Sequence, residues 1–364
     1  MDGRERIKAI FNKEPVDRTG FWLGNPADDT KKIYYEYFGI KDDLAELDNS
    51  HEDDTVLLTK KSGRADLELG LKLGNDFMWY SPELELSSWK HPEGKPMFDV
   101  LGGKPRESLS QPGIFAECEN VKEIEDFPWP DPKYLDFSST IKKIDEAREH
   151  GLAIFGGMWM PFFHVLADFF GMDNYFMKMY THPKVVEAAT ERILDFYLEA
   201  NKRCLDAMGS KLDAAFFGND LGSQLDLMIS PDAFKRFILP GIKRIVEQAK
   251  SYNLKVVLHS CGAITKIIPM LIDAGIDGLH PLQAKAKGMD AQSLAREYGN
   301  DLVFIGGVDT QDLLPFGTPE QVKAEVRRLK KIFGQGFVVS PSHEALLPNV
   351  SPENAIAMSQ AALE

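Results

Sequence analysis

Lys255-Val256-Val257-Leu258-His259-Ser260-Cys261-Gly262 is the stretch on which the reading of this chain turns. A short apolar β run ends in a histidine, a cysteine two positions later, and then a glycine. In an extended strand, side chains at i and i+2 point to the same side, so the imidazole and the thiol can meet one ligand. Imidazole plus thiolate is a borderline-soft pair that suits zinc, with Zn–N roughly 2.0–2.1 Å and Zn–S roughly 2.3 Å. An isolated pair of this kind is ordinarily a buried thiol beside a hydrogen-bonded histidine. What favours a metal is position, because the pair stands where a strand stops and a catalytic loop begins.

Outward from this run, similar β-rich apolar runs recur, and most precede a helical pattern. They are Phe21–Leu23, Asp76–Tyr80, Leu152–Phe155, Asp213–Phe217, Leu254–Leu258, Ile276–Leu279, Leu302–Ile305 and Phe337–Val339. Three helices have legible starts, each a cap residue followed by an N1 proline: Ser230-Pro231, Thr318-Pro319 and Ser351-Pro352. Apolar strands alternating with helices mean a parallel α/β sheet. Eight such strands favour closure into a single (β/α)8 TIM barrel spanning residues 1–364. An open doubly wound sheet is the other closure, but no G-x-G-x-x-G turn follows an early strand. Residues 81–132 break the alternation with a run rich in proline and glycine, including Pro128-Trp129-Pro130. This stretch reads as an extended insertion with short antiparallel strands after the second strand, covering the mouth.

The chain has 364 residues and a formal net charge of −14, which argues against nucleic acid and anionic membrane surfaces as partners. No apolar run reaches the roughly 18–20 residues of a membrane span. The charged N-terminus lacks a signal-peptide core, and three cysteines do not make a disulfide framework. A cytoplasmic protein is the expectation.

In a TIM barrel the active site lies at the carboxyl ends of the strands. Asn25 follows the first run, Trp159-Met160-Pro161-Phe162-Phe163-His164 the third, and Asn219, Asp220 and Gln224 the fourth. His259 and Cys261 close the fifth, His280 and Gln283 the sixth, Asp309 the seventh, and His343-Glu344 the eighth. Polar, ligand-capable residues thus gather at one end of nearly every strand. Catalytic zinc normally takes three protein ligands. His343 is the first choice for the third, with Glu344 and Asp309 behind it; His343 as a plain hydrogen-bonding group in the pocket is the competing reading. Asp220 reads as a helix cap, as a catalytic-site carboxylate that orients a ligand imidazole, or as a hydrogen-bond acceptor for substrate. Asn25, Trp159, Asn219, Gln224, Gln283 and Asp309 are the candidate substrate-binding residues. Trp159, Phe162 and Phe163 are either core, the wall of an apolar pocket, or a surface that stacks on a quaternary ammonium group.

These residues carry a resemblance. RERIKAIFNKEPVDR, SPDAFKRFILPGIKRIVEQAK, VVLHSCGAITKIIPMLIDAGIDGLHPLQ, FIGGVDTQDLLPFGTPEQVKAEV and VVSPSHEALLPNVSPENAIAM resemble the uroporphyrinogen decarboxylase superfamily over nearly the whole chain. Within it the likeness is to the MtaA/CmuA-like branch of corrinoid-linked methyltransferases. The resemblance implies a single (β/α)8 barrel and, in that branch, zinc held by a His-x-Cys pair and a later cysteine. His259 and Cys261 match the pair, while Pro341-Ser342-His343-Glu344 puts His343 where the later cysteine would fall. One thiolate and two imidazoles would leave about one positive charge on the centre and a stronger Lewis acid. Decarboxylases of the superfamily also carry a histidine here, so His343 does not choose the branch. Those enzymes hold their polycarboxylate substrate with an early R-Q-A-G-R element, where this chain reads FWLGNPADDT with no arginine and two aspartates. The resemblance therefore implies methyl exchange between a small methylated substrate or carrier and a corrinoid. No D-x-H-x-x-G corrinoid motif is present, so the corrinoid would arrive on a separate protein. The alternatives are a cofactor-free lyase acting on a carboxylated substrate, and a barrel that only binds a partner. Self-association is compatible with either enzyme.

Overall fold

The computed structural model describes residues 1–41, 54–82, 88–98, 100, 101 and 107–364, with side chains 54–62 set aside. Eight parallel strands form one sheet in the order β1-β8-β7-β6-β5-β4-β3-β2. They are β1 (Gly20–Phe21), β2 (Phe77–Tyr80), β3 (Ala153–Gly156), β4 (Ala214–Gly218), β5 (Lys255–His259), β6 (Gly278–Leu282), β7 (Val303–Val308) and β8 (Phe337–Pro341). Each overlaps an expected run, β1 by Phe21 alone, and helices separate successive strands. The first part of the chain contributes α1 (Gly3–Phe11), α2 (Asp28–Phe38), α3 (Asp54–Leu73), α4 (Val121–Glu125), α5 (Ser138–Glu149), α6 (Phe162–Phe170), α7 (Met172–Thr181) and α8 (Pro183–Met208). Among the described residues, no helix is long and apolar enough to cross a membrane.

Large rings fill the barrel axis. Phe77 stacks on Phe155 with centroids 4.0 Å apart, and Trp22 and Phe216 pack above them. Ile7, Ile10 and Phe11 of α1, spaced to share one helix face, join Val257, Val303, Ile305 and Val338 and close the amino end of the barrel. That leaves the carboxyl end as the open one.

The β1–β2 seam carries no regular ladder, because β1 is only two residues long. Side chains substitute for it. Phe21 N–H donates to Asp76 Oδ2 at 2.8 Å, Asp76 N–H donates to Phe21 O at 2.8 Å, and Leu23 N–H donates to Asn75 Oδ1 at 2.9 Å. The buried Asp76 carboxylate is gripped by Arg6 Nη1 at 2.5 Å and by Arg18 Nη1 and Nη2 at 2.8 and 2.9 Å. Two guanidiniums compensate a charge that burial would otherwise penalise.

The expected helix starts hold. Ser230, Thr318 and Ser351 each accept from the backbone N–H three residues on, and Thr318 pairs with Gln321 in a full capping box. The helix after Ser230 is not continuous as the sequence suggests: Phe234–Ile238 forms a π turn before Leu239–Ser251. Pro240 has no N–H to give, which disfavours the regular i→i−4 pattern there. Residues 83–87, 99 and 102–106 of the expected insertion lie outside the described residues. The described remainder holds the short helix α4 and one isolated antiparallel bridge, Trp89 to Leu135, rather than a set of strands. It packs against α6 and α8, with Phe115 stacked on Phe169 and Phe98 edge-on to Phe196.

Candidate metal and active site

His259 is the last residue of β5 and Cys261 stands two residues later; the i, i+2 relation brings Cys261 Sγ to 3.5 Å from His259 Nε2. The next residue is glycine for a packing reason. Gly262 has φ of 88°, and a Cβ there would fall 2.2 Å from the backbone of Gly222 in the loop after β4. That close crossing brings Asp220 alongside. Its Oδ1 lies 3.2 Å from His259 Nε2 and accepts from Cys261 N–H at 2.9 Å. Asp220 N–H in turn donates to His164 Nε2 at 2.8 Å, and Leu221 N–H donates to Ser260 Oγ at 3.0 Å.

A second set meets the other face of the same imidazole. His259 Nδ1 is 3.0 Å from His280 Nδ1 and 3.6 Å from Glu344 Oε2. Asp220, His259 and Cys261 form one group of potential ligand atoms lying within 4.8 Å of one another, and His259, His280 and Glu344 form another. Burial raises the Asp220 carboxyl, but the hydrogen bond and charge of His259 and the Cys261 N–H outweigh it and hold it well below the usual range. For His259 burial favours the neutral ring, yet Asp220 and Glu344 tip it upward. The Cys261 thiol is pushed far up, by burial first and then by the Asp220 and Glu344 charges. His280 goes well down through burial and the neighbouring His259 and His343.

A buried thiol between two carboxylates resists becoming a thiolate unless a cation joins it. The spacing fits such an ion: tetrahedral zinc with the Zn–N and Zn–S lengths above and Zn–O of roughly 2.0–2.2 Å sets N···S about 3.5 Å and N···O about 3.3 Å. Glu344 Oε2 and His280 Nε2 are buried without hydrogen-bond partners among the described residues, a further mark of a site built for something more than the chain itself.

The other expected site residues separate into distinct places. His343 belongs to neither ligand group; its ring is 38% exposed and its Nδ1 accepts from Ala345 N–H at 3.1 Å. Asn219 is buried, its Oδ1 accepting from Phe163 N–H and its Nδ2 donating to Met160 O, so it braces the start of α6 against β4. Asp309 caps its own loop by accepting from the N–H groups of Gln311, Asp312 and Leu313. Gln283 Oε1 accepts from Gly262 N–H at 2.7 Å, which holds the cysteine loop. Gln224 is exposed, and its backbone carbonyl accepts from Lys287 N–H. Asn25 and Trp159 line a cavity of about 1100 Å³ beside the cluster, and the Trp159 ring stands edge-on to His259 with centroids 5.4 Å apart. His164 and His280, both at strand ends in the sequence, join the cluster without having been assigned a role there. Their signal was positional, and strand-end position does not say which ring turns inward.

Comparisons with known proteins bear on this arrangement. A family model described as uroporphyrinogen decarboxylase (URO-D) matches residues 107–364. A methylated-thiol–coenzyme M methyltransferase of Methanosarcina mazei is 29% identical over 56% of this chain and 53% of its own length. The methylcobamide:CoM methyltransferase MtbA of Methanosarcina acetivorans is 28% identical over 57% of this chain and 58% of its own. A uroporphyrinogen decarboxylase of Chlorobium luteolum is 26% identical over 60% and 61%. The matched part thus spans little more than half the length of these relatives. A solved structure titled methyltransferase from Methanosarcina mazei superposes over 100% of this chain with a TM-score of 0.67 at 19% identity, which establishes the shared barrel fold. The family match covers well over half of the residues, and with the barrel in place the chain belongs to the uroporphyrinogen decarboxylase family.

Proposed function

We propose that this chain is a zinc-dependent methyltransferase that moves a methyl group between a small methylated substrate or carrier and a corrinoid held by a separate protein. The observation that carries the reading is the meeting of His259 Nε2, Cys261 Sγ and Asp220 Oδ1 at spacings that suit tetrahedral zinc. The named activities of the Methanosarcina relatives support the reaction class. Zinc bound there would supply a Lewis acid for the heteroatom that gives or takes the methyl group. Asp220 is favoured as third ligand over His343, since its oxygen already approaches the His259 nitrogen that faces the thiol. His280 holds the opposite nitrogen and orients the ring, with the Glu344 carboxylate 3.6 Å away, while His164 and Gln283 fix the loops that carry Asp220 and Cys261.

The lyase alternative draws on the relatives named uroporphyrinogen decarboxylase. Against it, no arginine is among the described residues lining the cavity, where Lys31, Lys32 and Lys143 stand with Asp28 and Asp29 of the first turn of α2 and Asp66. A substrate with many carboxylates needs donors there. The test is metal analysis together with turnover. The purified chain should carry about one zinc, lose it in His259→Ala and Cys261→Ala, and demethylate a methylated corrinoid carrier when a small thiol is supplied as methyl acceptor. Full activity on a carboxylated tetrapyrrole without metal would refute the proposal.

A further inference from the structure

His259 turns both of its ring nitrogens toward ligand-capable groups, and the zinc proposed above uses only Nε2. Past Nδ1 lie His280 on β6 and Glu344 just beyond β8. His280 Nδ1 is 3.0 Å from His259 Nδ1, and Glu344 Oε2 is 3.6 Å from it. An ion at roughly 2.0–2.2 Å from each donor would see these pairs at about 95° and about 120°, either side of the tetrahedral angle. A hydrogen bond accounts for the first distance but not for the carboxylate. Glu344 Oε2 is buried with no hydrogen-bond partner among the described residues, although imidazole nitrogens surround it. His343 Nδ1, at 3.7 Å, accepts from Ala345 N–H and so has no proton to give. The Nδ1 atoms of His259 and His280 share one proton along the line that joins them. A buried carboxylate oxygen left in that position is costly unless a cation joins it.

Charge points the same way. A zinc on His259 Nε2 is matched by Asp220 and the Cys261 thiolate, which leaves Glu344 unbalanced beside a neutral ring. A second dication at Nδ1 would take up Glu344 and make His259 a bridging imidazolate, so that two ions face four negative groups. We infer that His259 Nδ1, His280 Nδ1 and Glu344 Oε2 hold a second divalent transition-metal ion, joined to the zinc through the His259 ring. Two imidazoles and a carboxylate suit zinc, cobalt or iron(II) and not magnesium or calcium, which take oxygen ligands. Binding displaces the proton between the two Nδ1 atoms to solvent, and nothing is oxidised or reduced. With a ring between them, the ions stand farther apart than the roughly 3.5–4 Å of two-metal sites that clamp one substrate. The second ion therefore acts on the first through the imidazole.

The inference goes beyond the methyltransferase reading, and its test needs neither methyl donor nor corrinoid. Full-length protein is dialysed against stepwise increasing buffered free zinc, and metal per chain is measured by plasma spectrometry, with circular dichroism as the check on the fold. Filling should proceed in two steps, to about one and then about two ions per chain. Glu344→Gln, which keeps the shape and removes the charge, should weaken the second step more than about 100-fold and the first by about tenfold at most. His280→Ala should remove the second step too, while costing the first the about 10–100-fold of a lost outer partner. Cobalt(II) added after the first zinc should give ligand-field absorption without a thiolate charge-transfer band. Saturation at about one ion that Glu344→Gln leaves in place overturns the inference. So does a second equivalent that survives both variants, which marks an adventitious surface site. Thiolate charge transfer from the added cobalt also overturns it, because the two donor sets are then alternatives. A single ion lost in Glu344→Gln but kept in Cys261→Ser would instead refute the zinc assignment at Cys261, with the His259, His280 and Glu344 set standing.

Discussion

Asp220→Asn is the substitution that best tests the metal assignment. The asparagine keeps an oxygen to accept from Cys261 N–H, a bond of 2.9 Å, so the loop geometry survives while the charge goes. Asp220 Oδ1 stands 3.2 Å from His259 Nε2, a distance that also suits two ligands of one ion. Losing an outer partner typically weakens a metal about 10–100-fold, so a lost anionic ligand should exceed about 100-fold, or about 2.7 kcal/mol. His343→Ala, removing a ring 38% exposed and turned toward Ala345, should stay below about tenfold. Competition against a fluorescent zinc chelator of known affinity reads both values, and circular dichroism checks the fold. The reverse order, with His343→Ala releasing zinc and Asp220→Asn retaining it, would refute the reasoning and restore His343 as the ligand.

Three further outcomes follow from the geometry. Asp76→Ala strips an acceptor from Phe21 N–H and leaves two arginines facing an empty space, so about 3–5 kcal/mol should be lost; at about 2.1 cal/mol/K per residue this lowers Tm by about 4–7 °C, and a shift under 1 °C would contradict it. Asp17 is held below its ordinary range by its hydrogen bond to Arg6, so its contribution is complete above the unfolded value near pH 4 and fades as pH falls through the folded one. The Tm gap between wild type and Asp17→Asn should therefore be larger at pH 7 than at pH 2.5, though small because the pair is half-exposed; a gap that widens in acid has the wrong sign. In metal-stripped protein at pH 7, iodoacetamide should label Cys261 much more slowly than a peptide thiol, since burial and the two carboxylates oppose the thiolate. Labelling as fast as the free thiol, measured by peptide mapping, would show that the site does not disfavour the anion.

The strands were legible because each is an apolar run bounded by turn residues, and Val256–Leu258 is the clearest of them. Ser230, Thr318 and Ser351 announced their helices through cap chemistry, which is local and thus readable. His259 and Cys261 could be paired in advance, since strand period alone puts them on one side. Asp220 could be placed at the right end of the barrel but not against Cys261, because that contact depends on two loops crossing at Gly222 and Gly262. Between His343 and Glu344 donor type favoured His343, but they are neighbours in an irregular loop, where no periodicity says which turns inward. The structure turns Glu344 toward His259. Asn219 read as a candidate substrate-binding residue, and in the structure its amide bonds backbone groups of the loop after β3 and the start of α6, a long-range use that no local pattern reveals.

The seam between β1 and β2 also has a temporal meaning. Its outer neighbour, β8, pairs Gly20 with Val338, about 320 positions further along the chain. On a ribosome moving at about 5–20 residues per second, β1 therefore waits roughly 15–60 s for the strand that completes its ladder. During that interval Asp76, with Arg6 and Arg18, is the tie that can already hold the first strand beside the second, since all three leave the exit tunnel early. The ion cluster at the base of the barrel is thus a bookmark for the nascent chain as much as a brace for the finished one. Weakening it should reduce the yield of soluble protein made in the cell more than it reduces the melting temperature of the molecules that succeed in folding.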